Sequence, residues 1–199
     1  MIIEREYKWA AAGPCDFAAF QKAPALADFA RARRKIIVVD SYFDSTGSAL
    51  QKTKTALRLR SVNGRYEITL KGDSRIKNGL ASRPERTLKL SAKSRARAMA
   101  ALRAFFAKNW PALEGLRRLF IIKNKRTVWD IKSPALEAEI CFDDCIIIKQ
   151  QKSLKFYEIE LEYKKGSASA FTRLAAQLTK QGGLEYSKKS KVATAAELL

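Results

Sequence analysis

The sequence contains no histidine among its 199 residues. Without an imidazole, the usual Ser/His and Cys/His nucleophile systems cannot be assembled, and the most frequent general base is missing. A zinc site that combines cysteine with histidine is excluded as well. Catalysis by this chain would therefore depend on carboxylates, on lysines and arginines, or on a bound metal ion.

Cysteine is also scarce, with only Cys15, Cys141 and Cys145, an odd number without framework spacing. This usage is typical of a reducing compartment. Two thiols fall short of a tetrahedral zinc site, so we predict that Cys141 and Cys145 are structural. No run reaches the roughly 18 apolar residues of a membrane span, and the N-terminus lacks the apolar segment of a signal peptide. The sequence predicts a cytoplasmic protein.

Acidic residues are few: 20 Asp and Glu stand against 39 Lys and Arg, for a net charge of +19. Such an excess predicts a polyanionic partner, or only good solubility. The RNP, zinc-finger and basic-zipper signatures of nucleic-acid binding are absent. Charge therefore indicates an anion without identifying it.

The chain reads as one domain over residues 1–199, because no linker, internal repeat or low-complexity tract interrupts it. Alternation predicts about eight strands and three helical segments, and Asn63-Gly64 is a strong hairpin signal. Nearly every strand has one apolar and one charged face. In a sandwich the charged faces would lie in water, whereas in a closed barrel they would line a lumen.

Several boundaries follow from local composition. The second strand is predicted over 36–43 and a polar loop over 72–81, and a strand over 119–131 is expected to break at Asn124-Lys125. A helical stripe of Phe17, Phe20, Leu26 and Phe29 is expected to be interrupted by Pro24. A helix is also predicted over 92–110, with Met99, Leu102, Phe105 and Phe106 inward. Another is predicted over 168–181, with Phe171, Leu174, Ala175 and Leu178 on one side and Gly182-Gly183 as its C-cap.

The first strand, Glu4-Arg5-Glu6-Tyr7-Lys8, sets two carboxylates and one ammonium on the same face. Taken alone, this pattern is also typical of a solvated strand. The same alternation recurs in two further acidic groups and in a set of cations. The acidic groups are Glu137, Glu139 and Asp143, and Glu158, Glu160 and Glu162; the cations are Lys8, Arg58, Arg60, Lys71, Arg83, Arg126 and residues 188–191.

Separate acidic and basic strands in one charged face suit a metal-bound polyphosphate. Hard divalent cations take carboxylate oxygens as ligands, while guanidinium and ammonium groups neutralise phosphate oxygens.

In this order, the motifs resemble those of the CYTH superfamily, the triphosphate tunnel metalloenzymes. Glu4-x-Glu6-x-Lys8 is similar to the ExExK signature of that superfamily. The later matches are Asp40-Ser41-Tyr42-Phe43-Asp44, Ala56-Leu57-Arg58-Leu59-Arg60, Thr69-Leu70-Lys71, Arg83-Pro84-Glu85, Arg126, Glu139 with Asp143, Glu158-Ile159-Glu160-Leu161-Glu162 and Ser190-Lys191.

The resemblance implies an α+β fold, a closed eight-stranded antiparallel β-barrel with a charged lumen and flanking helices. It is strongest to the bacterial inorganic triphosphatases, and so implies a hydrolase that uses Mg²⁺ or Mn²⁺ to cleave inorganic triphosphate to pyrophosphate and phosphate. The partner implied is a small molecule that contains a triphosphate, with no membrane. The paired glutamates argue against nucleic acid, and the sequence leaves a homodimer open.

The resemblance also implies roles for individual residues. Glu4 and Glu6 should face a closed lumen opposite Glu160 and Glu162, and these four are the predicted metal ligands. The predicted substrate-binding residues are Lys8, Arg58, Arg60, Lys71, Arg83, Arg126 and Lys191. The predicted catalytic residues are Lys8, Glu139, Asp143 and Arg58. Lys8 is expected to contact a phosphate or to tether a carboxylate.

One departure and several alternatives remain. The tail keeps the lysine of the S-K-x-x-R-G pattern but has Thr194 in place of its arginine, which puts one phosphate contact or the closure of one tunnel mouth in doubt. A class IV adenylyl cyclase or a thiamine triphosphatase of the same fold is an alternative, as is a non-catalytic binder of polyphosphate or nucleic acid. The basic runs at 31–35, Arg117-Arg118 and Lys188-Lys189 are predicted to be solvated surface.

Overall fold

The computed structural model describes residues 1–27, 30–187 and 189–196, with the backbone alone for residues 30–32. Phe29, Lys188 and the side chains at 31 and 32 therefore lie outside the described residues. The strands are β1 (Ile2–Ala11), β2 (Ala30–Ser45), β3 (Ala56–Val62), β4 (Arg65–Lys71), β5 (Arg75–Lys77), β6 (Leu80–Leu90), β7 (Leu116–Lys132), β8 (Leu136–Lys149) and β9 (Lys152–Gly166). The helices are α1 (Pro14–Gln21), α2 (Pro24–Ala27), α3 (Ala49–Lys52), α4 (Arg95–Asn109), α5 (Ala168–Gly182) and α6 (Lys191–Ala196).

The main strands form a closed antiparallel barrel. Their order is β1-β9-β8-β7-β2-β3-β4-β6, and β6 pairs back onto β1 from Leu80 to Glu85. The three-residue β5 adds to the start of β6 as a short hairpin. The eight-stranded barrel with flanking helices confirms the predicted α+β fold.

Three predicted boundaries are wrong. β7 runs through Asn124 and Lys125 without a break, because both residues pair with β2 on one side and β8 on the other; this central position overrides the turn preference of asparagine. β2 begins at Ala30, six residues before the predicted start. The predicted loop over 72–81 contains β5, whose hairpin turns at Asn78 and Gly79, both with positive φ.

The hydrophobic core lies outside the barrel, between its wall and the helices. As predicted, α5 buries Phe171, Leu174, Ala175 and Leu178, and its C-cap is Gly183, which has a φ of 67°. Trp9 on β1 is completely buried beneath this helix, where its Nε1 donates to Thr179 Oγ1 at 2.9 Å. Trp9 thereby joins the first strand to α5.

A second core covers β3 and β4. α4 is capped by Ser94, whose hydroxyl accepts the Arg97 backbone N–H, and it buries Ala98, Leu102 and Phe106 against these strands. The predicted inward residues Met99 and Phe105 are only partly buried. A third, smaller cluster lies at one barrel end, where Val192 and Ala195 of α6 pack against a group that contains Tyr42, Phe120 and Ile147.

Asp40 and Asp44 on β2 have structural partners. Asp40 is buried and accepts two hydrogen bonds from Arg60, at 2.7 and 2.8 Å. Burial alone would raise the pKa of Asp40, but Arg60 and Arg58 outweigh it and hold that pKa well below its usual value. Asp44 accepts the backbone N–H groups of Leu50 and Gln51 and so fixes α3.

The exterior is strongly basic. Among the described residues, the exposed acidic side chains are those of Asp73, Glu114, Glu137 and Glu185, whereas exposed lysines or arginines occur on most elements. α4, for example, carries Arg95, Arg97, Arg103 and Lys108 and no acid. None of the helices in the described ranges is long and apolar enough to span a membrane.

Replacing Trp9 with alanine is expected to lower the free energy of unfolding by about 3–5 kcal/mol, because the substitution leaves a large cavity beneath α5. Urea unfolding followed by circular dichroism measures the change. Trp110→Ala is the matched control, since Trp110 is only half-buried and should cost less. Equal losses in the two variants would contradict this assignment of the core.

Asp40→Asn is expected to destabilise the fold by about 3 kcal/mol at pH 7, because it leaves the Arg60 guanidinium without its carboxylate. The folded pKa of Asp40 lies below its unfolded value of about 3.9. Its contribution is therefore present above that unfolded value and is lost as the pH falls towards the folded pKa. Urea unfolding should show a smaller difference from wild type at pH 3 than at pH 7.

The control is Asp73→Asn, which removes an exposed pair with Lys54 and should change stability by less than about 1 kcal/mol. An Asp40→Asn variant as stable as the wild type at pH 7 would show that the buried pair does not hold β2 to β3.

Candidate functional site

The barrel encloses a charged cavity of about 330 Å³. Alternate residues of the eight barrel strands point into it, as the sequence pattern predicted. Glu4, Glu6 and Lys8 are among its lining residues, so the first strand does face a closed lumen. Its other charged lining residues are Arg34, Arg58, Arg60, Glu67, Lys71, Arg83, Glu85, Arg126, Glu139, Glu160, Glu162, Lys164 and Lys191.

Glu4 and Glu6 are tied to the neighbouring basic strands. Glu4 accepts from Lys71 at 2.9 Å and also from Arg83, whose other arm reaches Glu6 at 2.7 Å. Burial opposes ionisation of Glu4, but Lys71 and Arg83 outweigh it and hold its pKa well below the usual range. Glu4 is therefore ionised and screened by two cations.

The acidic residues of β1 and β9 are neighbours rather than facing each other across the lumen. β1 pairs directly with β9, which sets Glu6 beside Glu162 and Lys8 beside Glu160. Lys8 donates to Glu160 at 2.8 Å and lies 3.3 Å from Glu6. In this structure Lys8 tethers carboxylates, one of its two predicted roles.

A buried group of three carboxylates lies in the barrel interior next to the lumen, which Glu160 lines. Asp143, Glu158 and Glu160 each offer an oxygen within 4.8 Å of the others. Burial raises the pKa of Glu158, and its ion pairs with Lys191 and Lys8 offset this only in part. For Glu160 the effect of burial is overcome by Lys191, Lys8 and Arg126, so its pKa is far below the usual value.

These side chains fit a hard divalent cation. The donors are all carboxylate oxygens, the ligand type that such ions prefer, and no soft ligand lies among them. Of the predicted ligands, only Glu160 belongs to this three-carboxylate group, which hereafter we call the acidic triad. Glu4, Glu6 and Glu162 lie on the same face of β1 and β9, nearer the barrel end where β1 begins and β9 ends, which we call the open mouth. They remain predicted ligands.

The basic strands supply a set of largely buried cations. Arg58 is only 4% exposed; it donates to Thr69 at 3.2 Å, while its Nε has no partner within the described structure. Arg126 binds Asp143 through both arms and also reaches Glu160. Burial lowers the pKa of Lys71, and Arg58 and Arg83 lower it further. Glu4 and Glu85 raise this pKa, but not enough to offset the lowering.

The open mouth carries a second ion-pair network that sequence reasoning largely missed. Lys164 bridges Glu139 and Glu162, at 2.9 and 2.7 Å, and Arg34 also binds Glu139. Arg34, in the basic run predicted to be solvated surface, is exposed but also lines the lumen at this mouth. Glu137, grouped with Glu139 by alternation, lies beyond the mouth and is exposed beside Lys165.

The opposite mouth opens into a second cavity of about 850 Å³, which we call the vestibule. Tyr42, Lys71 and Arg83 line both the vestibule and the lumen. α6 lies between the two spaces: Ser190 and Val192 contact both, while Ala193, Ala195 and Ala196 line only the vestibule. Despite the lost arginine at Thr194, this short helix covers the mouth.

Two further charged residues of the network had a signal in the sequence. Asp40 belongs to the Asp-x-Tyr-Phe-Asp element, and Glu158 shares the alternation of Glu160 and Glu162, yet neither had an assigned role. Glu158 is bound by Lys191, and Lys8 lies 3.9 Å away. Alternation could have included Glu158, but its partner Lys191 comes from a helix at the far end of the chain.

Comparison with known proteins agrees with this geometry. Residues 3–196 match the family model of the CYTH domain. The inorganic triphosphatase of Haemophilus influenzae is 27% identical over 158 residues, which cover 79% of this chain and 45% of that protein. The chain thus spans less than half the length of this curated relative.

Solved structures share the fold. A putative adenylyl cyclase from Hippeastrum, reported to have a dominant triphosphatase activity, has a TM-score of 0.71 at 18% identity, with 98% of this chain and 95% of that one covered. A putative adenylate cyclase from Bacillus halodurans has a TM-score of 0.60 at 19% identity, covering 96% and 97%.

The Mimivirus capping enzyme triphosphatase has a TM-score of 0.53 at 12% identity, covering 89% of this chain and 88% of its own. Because these identities are low, the three structures support the fold alone. The match to the family model extends over nearly the whole chain, from the first acidic strand to α6. The chain belongs to the CYTH domain family.

Proposed function

We propose that this protein is a metal-dependent hydrolase that cleaves inorganic triphosphate to pyrophosphate and phosphate inside the barrel. The observation that carries the proposal is the shared lumen. Predicted phosphate-binding cations and predicted metal-binding carboxylates line one cavity, in contact with one another. The name of the Haemophilus relative supports the same reaction.

The cavity suits a small polyanion. Its volume of about 330 Å³ is at the lower end of the range for small-molecule sites. Guanidinium groups form forked hydrogen bonds to phosphate oxygens, and ammonium groups act as point charges. The proposed phosphate ligands are Lys8, Arg58, Arg60, Lys71, Arg83, Arg126 and Lys191.

We assign metal binding to Glu4, Glu6, Glu160 and Glu162, with the acidic triad as a second group of suitable oxygens, and we expect Mg²⁺ or Mn²⁺. A cation held there would offset phosphate charge and make a bound water more acidic. The carboxylates now pair with lysines and arginines. Triphosphate would give those cations new partners and leave the carboxylates free for metal.

Individual residues have separable roles in this proposal. Arg58 keeps an unpartnered Nε, so it can donate to a phosphate oxygen and stabilise charge on the leaving group. Glu139 lies at the open mouth. Burial would raise its pKa, but Lys164 and Arg34 outweigh that effect and keep the pKa below its usual value. An ionised carboxylate there can orient an attacking water. Asp143 holds Arg126 in place through two hydrogen bonds.

Glu6→Gln is expected to lower metal-dependent phosphate release from tripolyphosphate by roughly a hundredfold or more, the scale of losing one charge-stabilising group. Glu4→Gln should do the same. The neutral amide keeps the side-chain shape but removes the charge that holds a cation. A colorimetric phosphate assay measures release, and circular dichroism checks that the barrel persists.

Glu137→Gln is the matched control, because it removes an equivalent charge from β8 outside the lumen. It should leave the rate unchanged. Full activity in both Glu4→Gln and Glu6→Gln would remove these residues from the metal site.

A substrate screen distinguishes the proposed reaction from its alternatives. Tripolyphosphate, ATP and thiamine triphosphate are each incubated with Mg²⁺, Mn²⁺ or EDTA, and phosphate, pyrophosphate and cyclic AMP are measured separately. We expect metal-dependent turnover of tripolyphosphate to be fastest. Cyclic AMP from ATP would identify a cyclase instead, and preference for thiamine triphosphate a thiamine triphosphatase. Absence of turnover with all three would favour the non-catalytic binder.

A further inference from the structure

The charged sequence of β1 occurs a second time on β9. Glu4-Arg5-Glu6-Tyr7-Lys8 and Glu160-Leu161-Glu162-Tyr163-Lys164 share the pattern Glu-x-Glu-Tyr-Lys and differ only at the second residue. We call these two segments the paired motifs. Their strands are direct antiparallel neighbours, and the register sets Glu6 opposite Glu162, the middle residue of one motif against that of the other. A local two-fold axis therefore passes between these two glutamates.

The outer face of the sheet follows this axis. The ring of Tyr7 lies 5.3 Å from the ring of Phe171 on α5, and the ring of Tyr163 lies 5.4 Å from the same ring, centroid to centroid. One side chain of the covering helix thus packs against both motifs. This shared packing holds the register of the two strands, and with it the side chains on their inner face.

The inner face follows the axis as well. Lys8 and Lys164 both line the lumen. Each ammonium contacts the middle glutamate of its own motif: Lys8 Nζ lies 3.3 Å from Glu6 Oε1, and Lys164 Nζ lies 2.7 Å from Glu162 Oε1. The axis thus relates two ammonium groups on either side of a central pair of carboxylates. They differ in depth, because the Lys164 side chain is 38% exposed and that of Lys8 only 8%.

Each lysine also contacts a carboxylate on a neighbouring strand. Lys8 on β1 lies 2.8 Å from Glu160 on β9, and Lys164 on β9 lies 2.9 Å from Glu139 on β8. The two-fold relation ends here, because Lys164 uses β8 rather than β1 for this second contact. Lys8 is already a proposed phosphate ligand, and Lys164 has matching surroundings on the other side of the axis.

We propose that Lys164 binds one terminal phosphate of the substrate, as the counterpart of Lys8 at the other end. The proposal rests on the proposed function in placing a triphosphate in the lumen. Inorganic triphosphate has a two-fold axis of its own through its central phosphorus, so its two ends are chemically identical. A linear triphosphate that lies across the local axis would offer each lysine the same group. A lysine ammonium has rotatable donors on a flexible stem, so it can exchange a carboxylate for a phosphate oxygen while its strand stays in place.

This arrangement would make the site selective for the length and the symmetry of the anion. A triphosphate reaches both lysines, whereas pyrophosphate occupies only one side of the axis and is held by one of them. A nucleoside triphosphate presents one terminal phosphate and, at its other end, an esterified phosphate of lower charge. The paired motifs therefore favour inorganic triphosphate over both the shorter product and the organic triphosphates.

Calorimetry with non-hydrolysable anions tests the role of Lys164 without turnover. Methylene-bridged analogues of triphosphate and of pyrophosphate are each titrated into the full chain with Mg²⁺, and the measured quantity is the ratio of their affinities. Lys164→Met keeps a long side chain but removes the ammonium. We expect this ratio to fall by about tenfold or more, the scale of one lost charge-assisted contact. Pyrophosphate analogue binding should change little, because the Lys8 side remains intact.

Two variants serve as controls. Lys164→Arg keeps a cation at this position and should keep most of the wild-type ratio. Lys165→Met removes the same charge from the next residue, whose side chain is 79% exposed beside Glu137, and should leave the ratio unchanged. Circular dichroism checks that each variant keeps the barrel.

The outcomes separate this inference from the proposed reaction. If Lys164→Met weakens both analogues equally, Lys164 only holds Glu139 and Glu162 in place, and its assignment as a phosphate ligand is wrong. An unchanged affinity for both analogues also overturns the assignment. In either case, metal-dependent release of phosphate from tripolyphosphate by the wild type leaves the proposed reaction standing. A wild type that neither binds the triphosphate analogue nor hydrolyses tripolyphosphate overturns both.

Discussion

The structure depends on the pairing of buried charges. A carboxylate or guanidinium withdrawn from water is costly unless an opposite charge and hydrogen bonds accompany it. Inside this barrel the buried carboxylates Glu6, Asp40, Asp143, Glu158 and Glu160 each lie within 4.0 Å of a lysine or arginine. This requirement limits which strands can be neighbours. Where two acidic strands are adjacent, lysines or arginines from other parts of the chain must pair with their carboxylates.

Closure of the sheet meets that requirement. Among the residues that line the lumen, the acidic ones lie mainly on β1, β8 and β9, which are adjacent, whereas β3, β4 and β6 supply Arg58, Arg60, Lys71 and Arg83. The seam between β1 and β6 brings the two groups together, with Glu4 directly opposite Arg83. On the other side of the acidic strands, Arg126 of β7 pairs with Asp143 of β8. Lys191 adds the remaining cation from outside the sheet. The site thus arises from the topology as much as from its individual residues.

Alternation within strands left a sandwich and a closed barrel open, and it was the resemblance to the CYTH superfamily that implied the barrel. The sequence did predict the lumen-facing residues, because these follow from alternation within a strand. It also gave the correct inward faces of α5, since a helix stripe is equally local. The lumen contact of Arg34 was missed because it depends on reaching Glu139, two strands away in the barrel order. The continuity of β7 at Asn124 was missed for a related reason: pairing with two neighbours outweighs a local turn preference. The adjacency of β1 and β9 could not be predicted from alternation, because alternation assigns a residue to one face of its strand and does not say which strand lies beside it.

The exterior charges and the lumen charges of this protein act differently on an approaching anion. Because lumen carboxylates and cations largely pair with each other, most of the excess positive charge lies on the exterior. An approaching anion first meets that exterior field, which ordinary salt screens over about 8 Å. The paired charges inside are shielded from such screening. Ionic strength should therefore govern how quickly an anion arrives, whereas the buried pairs decide which anion is retained.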